Sequence, residues 1–265
     1  MPVVVDPMLI DAYAADGAVC ARGVLDESWL ELLREGVAAN MADPSAYSCE
    51  YTPDGAPGRF WDDYCSWQRI PQYRTVLFDS PLAEVAAALM GSQTARLFHE
   101  HVLVKEAGTT EITPWHHDQP YYCVDGDQNI SLWVALDPVP VDSAPRFVAG
   151  SHRGPMYVPR KFVSHEPYPF DGFDPVPDID AEADQHRFLQ WAVEPGDVIA
   201  FHMRTLHAAS GSATRRRAFS ARFVGDDATY AVRPAETSPP FPEVAAVLSH
   251  GDPLDHPTFP VVWPR

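Results

Sequence analysis

One of the chain's eleven histidines stands two residues before a carboxylate, at the end of a β-like stretch: Trp115-His116-His117-Asp118-Gln119. In extended backbone, residues i and i+2 project from the same face, roughly 7 Å apart. His116 and Asp118 therefore converge on one point, while His117 turns away. Two imidazole nitrogens and one carboxylate on one face, with the opposite positions open, suit a divalent metal that activates dioxygen. The third ligand must come from a distant segment folded back beside the first. Residues 196–207 (GDVIAFHMRTLH) offer a turn, an apolar strand and a terminal histidine, His207. His202 competes for the role. Alternation puts His207 on the face of Phe201, Met203 and Thr205, and His202 on the other. An H-x-D pair alone has little specificity, and most histidines are surface or hydrogen-bonded core residues. The weight comes from the surrounding sequence.

The elements that must position these residues follow from periodicity. A strand is expected over 17–24, and Asp26 then caps a helix over 27–41, in which Leu30, Leu33, Val37 and Met41 recur at helical spacing. Residues 42–75 carry aromatics, Pro and Gly with little period. A second helix over 81–90 is closed by Gly91. From 95 the pattern turns to β, with short apolar runs at 95–105, 130–136, 146–148, 191–193, 198–206 and 218–224, separated by turn signals such as Glu194-Pro195-Gly196-Asp197. This predicts a mainly β jelly roll with flanking α-helices. Residues 1–265 read as one domain, with 154–190 as an insertion or lid and 231–265 as a Pro-rich C-terminal extension.

Composition excludes several function classes. The formal charge is −18 and the pI about 4.8, so a polyanion is repelled, and Arg215-Arg216-Arg217 is too short a cluster to make a nucleic-acid groove. No nucleic-acid partner is expected. No apolar run approaches the ~18 residues of a membrane span, so no membrane partner is expected either. The first residues lack a basic region and carry Asp6 and Asp11, which argues against a secretory signal. The four cysteines form no C-x-x-C pair and read as reduced thiols of a cytoplasmic protein. A monomer or homodimer acting on a small-molecule substrate is the expectation.

The blocks around the histidines resemble the phytanoyl-CoA dioxygenase family. They are 98–105 (FHEHVLVK), 113–118 (TPWHHD), 131–137 (SLWVALD), 146–152 (RFVAGSH), 196–207 and 216–223 (RRAFSARF), all in family order. The resemblance implies a double-stranded β-helix (cupin-like) core with Fe(II) on His116, Asp118 and His207. It also implies 2-oxoglutarate as cosubstrate, held at its distal carboxylate by an arginine, whose planar fork matches a carboxylate. Oxidative decarboxylation with O2 then hydroxylates or otherwise oxidises the substrate. The family pattern aligns on Arg216, which shares a face with the small residues Ala218 and Ser220. The apolar phase of the strand favours Arg217, which is kept in reserve. By the same resemblance Trp133 and His99 lie beside the cosubstrate, and Arg59 plays a similar part. Many relatives carry Gly-Ser after the distal histidine, where this chain has Ala208-Ala209. Halogenating relatives lack the carboxylate ligand, so Asp118 favours oxygenation.

Substrate walls are expected from Gln119, Tyr121 and Tyr122, from His101 and Lys105 on the 99–105 strand, and from Phe162, Tyr168, Phe170 and Phe173 in the insertion. Such walls suit a largely apolar or ring-bearing molecule, as in natural-product tailoring. Two other readings use the same residues: a zinc hydrolase with these ligands, and a non-catalytic jelly-roll binding protein.

Overall fold

The computed structural model describes residues 5–162, 164, 166–168 and 172–264, so Phe170 lies outside the described residues. In chain order the elements are α1 (Pro7–Asp16), β1 (Ala18–Ala21), α2 (Glu27–Ala42), β2 (Cys49–Glu50), β3 (Phe60–Tyr64), α3 (Pro71–Asp79), α4 (Leu82–Met90), β4 (Ala95–Lys105) and β5 (Thr113–His116). They continue with β6 (Val124–Asp125), β7 (Asn129–Ala135), β8 (Arg146–Val148), β9 (Phe188–Leu189), β10 (Val198–Phe201), β11 (His207–Ala209), β12 (Arg216–Val224), β13 (Thr229–Tyr230), α5 (Pro242–Ala245) and β14 (Val261–Trp263).

An eight-stranded sheet runs in the order β1-β10-β7-β12-β4-β3-β2, with β14 also pairing β4. A four-stranded sheet, β5-β11-β8-β9, lies opposite it, and every ladder between the two sheets' neighbours is antiparallel. This is a double-stranded β-helix with flanking helices.

Alternation divides the large sheet into two faces. On one, Val102, Val104, Leu132, Val134, Phe219 and Ala221 pack against Leu30, Leu33, Val37, Tyr73, Val76, Leu77, Leu82 and Val85 of α2, α3 and α4. Each large side chain buried there contributes about 1.5–3 kcal/mol. On the other face, Trp133, Ala135, Phe201 and Ala218 meet Phe147 of the small sheet. The helices are capped as their sequences require. Asp26 accepts from the Ser28 and Trp29 amides at the start of α2, and Gly91, at φ 63°, closes α4. Gly196 turns the chain into β10 at φ 90°, where a Cβ would sit 2.3 Å from the Leu25 carbonyl oxygen.

The structure departs from the expected elements in places. β2, β3 and the start of α3 are present within 42–75, where the sequence showed little period, and α1 was not expected. α3 buries Tyr73, Val76 and Leu77, a helical triplet hidden among polar residues. Residues 191–193 form no strand: Val193 makes only an isolated bridge to Val139, and the small sheet is edged by β9 instead. The run over 198–206 breaks at Phe201. A turn follows, in which the Thr205 amide donates to His202 O (2.8 Å), so His207 begins a strand where it was expected to end one. Among the described residues no helix is long and apolar enough to cross a membrane.

Candidate metal centre

The end of β5 and the start of β11 are antiparallel neighbours with His116 and His207 in register. Their rings lie 4.2 Å apart between centroids. Each imidazole is held by its own backbone: His116 Nδ1 donates to Pro114 O (2.8 Å) and His207 Nδ1 to Thr205 O (2.9 Å). A carbonyl can only accept, so the Nδ1–H tautomer is selected and the Nε2 lone pair is left for a ligand. Asp118 arrives by a turn, at φ −75°, ψ −41°, ahead of a short 3-10 helix over Gln119–Tyr121. Its Oδ1 lies 3.4 Å from His116 Nε2 and 3.7 Å from His207 Nε2. One donor atom from each residue lies within 4.8 Å of the other two, and all three residues are buried.

The electrostatics suit a divalent cation. Burial, aided by His116, pushes the His207 pKa down to about 3, so the ring is neutral. Burial alone would raise the Asp118 carboxyl. Arg222 chiefly, with the two histidines, overcomes this and holds it well below the usual carboxylate range. Arg222, buried on β12, donates from Nε to Asp118 Oδ2 (3.3 Å) and brings Nη2 within ion-pair distance of it (3.3 Å), and Ser131 Oγ donates to the same oxygen at 3.3 Å. Oδ2 is thereby occupied and Oδ1 faces the histidines. The donor set fits Fe(II) and also fits zinc.

The triad opens into a cavity of about 600 Å³. Cross-strand register builds its wall from rows of the large sheet. One row is Tyr64–His101–Ser220–Trp133; the next is Asp62–Leu103–Ala218–Ala135, of which Asp62 and Leu103 line the cavity. Arg216 opens into the same space. Its guanidinium donates to Ser143 O, and burial lowers its pKa to about 10. Arg217 points the other way and chelates Asp137, with Nε–Oδ2 at 2.9 Å and Nη2–Oδ1 at 2.7 Å.

Trp133, His99, His101, Tyr121 and Tyr122 line the cavity as expected, and so do Phe162 and Tyr168. Burial, then the charge of Arg222, lowers the pKa of His99. Four expected residues are not brought in. Gln119 is buried outside the wall, donating to Val124 O (3.4 Å) and Gly126 O (3.3 Å). Lys105 donates to Glu111 O (2.7 Å) and Ser210 O (2.9 Å) beneath the Phe60 ring, where burial and Arg216 lower its pKa to about 6. Arg59 pairs with Glu50 (2.6 Å), partly exposed and off the cavity. Phe173 is likewise absent from the wall. His117 and His202 are spent on backbone groups: His117 Nε2 accepts from Tyr157 N (2.8 Å), and His202 Nε2 donates to Asp127 O (3.0 Å).

Sequence reasoning missed Arg222, Ser131, Asp62, Tyr51, Tyr64 and Arg160, all but Ser131 in the wall. Arg222 had a signal, since it shares the alternating face of Arg216. Asp62, Tyr51 and Tyr64 had none, because their segment showed no strand period.

A family model described as Phytanoyl-CoA dioxygenase (PhyH) matches residues 13–218. No curated protein matches the sequence significantly. Among solved structures, the epimerase SnoN in complex with Fe3+, alpha ketoglutarate and nogalamycin RO is 26% identical (TM-score 0.73), with 96% of this chain and 97% of that one covered. The non-heme alpha ketoglutarate dependent carbocyclase SnoK from nogalamycin biosynthesis is 22% identical (TM-score 0.74), covering 97% and 96%. EctD from S. alaskensis, solved with 2-oxoglutarate and 5-hydroxyectoine, is 18% identical (TM-score 0.67), covering 94% and 85%; at these lower identities the likeness is one of fold.

Proposed function

This chain belongs to the phytanoyl-CoA dioxygenase family, and we propose that it oxidises a ring-bearing small molecule in the cavity beside His116, Asp118 and His207. It is a 2-oxoglutarate-dependent non-haem iron enzyme, with iron and 2-oxoglutarate as the groups its family and fold imply and O2 as the further cosubstrate. When bound, these supply the oxidising power by coupling decarboxylation of 2-oxoglutarate, to succinate and CO2, to oxidation of the substrate. In this reading residues 1–265 act as one oxygenase domain and part of the 154–190 segment covers the cavity.

The protein's own residues do the positioning. His116 and His207 offer Nε2, fixed by the Nδ1 hydrogen bonds to Pro114 O and Thr205 O. Asp118 offers Oδ1, since Arg222 and Ser131 hold Oδ2. Arg216 takes the distal carboxylate of 2-oxoglutarate. Tyr121, Tyr122 and Phe162 exclude water above the histidines, with the Phe162 ring 4.7 Å from that of His116.

One observation carries the reading: a buried guanidinium with no carboxylate partner among the described residues opens into the same cavity as the triad. Burying an unpaired charge is costly, and an anionic cosubstrate would repay that cost. A hydrolase has no such need. That two neighbours of similar fold come from nogalamycin biosynthesis supports a natural-product substrate.

Anaerobic addition of Fe(II) and then 2-oxoglutarate should produce a visible charge-transfer band. His116→Ala or Asp118→Ala should abolish it, and an unchanged band would remove these residues from the metal site. Arg216→Gln should raise the 2-oxoglutarate requirement about 10- to 100-fold, the scale of a charge-assisted hydrogen-bonded pair, while Arg217→Gln leaves it near the parent value. The reverse order would move the anchor to Arg217.

A further inference from the structure

β3 carries two consecutive aspartates, and their surroundings differ sharply. Asp63 points toward the helices and is saturated. It accepts from Asn40 Nδ2 (2.6 Å), Ser45 N (2.8 Å), Ser45 Oγ and Tyr64 N (2.8 Å), and Arg69 lies at 3.3 Å. It is a structural carboxylate. Asp62 lines the cavity. Its Oδ2 accepts from Tyr51 OH at 2.9 Å and faces His101 Nε2 at 2.9 Å, while its Oδ1 has no partner among the described residues although Asp62 is only 2% exposed.

Among the described residues, charge compensation separates Asp62 from every other buried aspartate. Asp63 pairs with Arg69, Asp118 with Arg222, Asp137 with Arg217 and Asp197 with Arg22. Among the described residues Asp62 has neither an arginine nor a lysine, only His101. Packing does not require a carboxylate here, since its neighbours along the row, Leu103 and Ala218, are apolar. The ring of Tyr51, whose hydroxyl donates to it, lies 6.4 Å from that of Phe162, and Tyr64, two residues on along the same strand face, lies 5.0 Å from Tyr47 and 5.5 Å from the His101 ring. A lone carboxylate among aromatic faces suits a cation with hydrogens to donate.

We propose that Asp62, oriented by Tyr51 and His101, is the polar anchor of the substrate, and that the molecule oxidised carries a protonated amine which this carboxylate binds. The inference rests on the oxygenase reading only in taking the cavity as the substrate site. The amine docks on the wall formed by β2, β3 and β4, and the rest of the molecule extends toward the triad.

Binding of 3-phenylpropylamine and 3-phenyl-1-propanol is compared by NMR titration, on the metal-free protein and on the anaerobic protein loaded with Fe(II) and 2-oxoglutarate. The amine should bind about tenfold tighter than the alcohol in both forms, the scale of one charge-assisted hydrogen bond. Asp62→Asn should bring the two probes to equal affinity, while the Fe(II)–2-oxoglutarate charge-transfer band persists. Tyr51→Phe should weaken the amine by a smaller factor. If Asp62→Asn does not fold, Asp62→Ser is read in its place. Equal binding of the two probes to the parent protein, a preference for the alcohol, or an amine preference that survives loss of the carboxylate would each overturn the proposal. Absence of the band with the amine preference intact would instead overturn the oxygenase reading and leave the anchor standing.

Discussion

The two faces of the large sheet share strands, register and backbone hydrogen bonds, yet they are built for opposite ends. On the helix side, β4, β7 and β12 present Val102, Val104, Leu132, Val134, Phe219 and Ala221, and contacts with α2, α3 and α4 bury them completely or nearly so. On the cavity side the same strands present His99, His101, Ser131, Trp133, Arg216, Ser220 and Arg222. Several polar atoms there have no partner among the described residues: His99 Nδ1, Asp62 Oδ1, Ser220 Oγ and Arg222 Nη1. One face stabilises the fold, and the other leaves polar groups poised for ligands at a cost in stability. Alternation lets both be written into one strand, at the expense of a strict parity that a single-residue slip would destroy.

The largest effect is expected on the apolar face. Phe219→Ala removes a fully buried ring packed 4.9 Å from that of Tyr73. It should cost about 3–5 kcal/mol of stability, read by urea unfolding, without moving the charge-transfer band of the folded fraction. A loss below about 1 kcal/mol would mean the helix layer does not carry the fold. On the cavity face, Arg222→Met strands the Asp118 carboxylate. Affinity for Fe(II) should fall about 10- to 100-fold, as for other supports of metal ligands, with partial recovery in Arg222→Lys. Unchanged affinity would show that Asp118 needs no clamp.

The last test addresses the exception to the rule, a carboxyl on the helix side. Burial raises the Glu100 pKa from 4.5 to about 8, against the backbone hydrogen bond from Ser66. The protonated form therefore favours the folded state. Its contribution is complete below about pH 4.5 and is lost as pH rises toward 8. Glu100→Gln stays neutral throughout, so its melting temperature relative to the parent should climb between pH 5 and 8 and level off above. A difference independent of pH would show that Glu100 is ionised in the fold.

Much of this architecture was legible beforehand. The 95–105 and 146–148 strands coincide with β4 and β8, and the helix from Glu27 with its Asp26 cap was read from spacing alone. These segments have strong local periods that tertiary packing only had to accept. α1, α3, β2 and β3 were invisible, because their apolar residues show no strong local period and their burial is decided by partners far away in sequence. The choice of His207 over His202 agreed with the geometry while its stated reason did not. No continuous strand joins the two, and the turn after Phe201 resets the alternation. Asp118 likewise reaches Oδ1 into the site from a turn and not from extended backbone.

Sequence by itself therefore determined the chemical types: two histidines and an aspartate at a spacing that suits a metal, an arginine-rich strand, and an alternating β pattern to carry them. Those are local properties, written in residue identity and period. Tertiary structure decided which of the candidates meet. Register set His116 beside His207, turned Arg216 inward and Arg217 toward Asp137, and withdrew Gln119, Lys105 and Arg59 from the cavity. It also brought Arg222 onto Asp118 and left Asp62 without a cation. Contacts between residues a hundred positions apart depend on how sheets pair and pack, and no local pattern encodes that pairing.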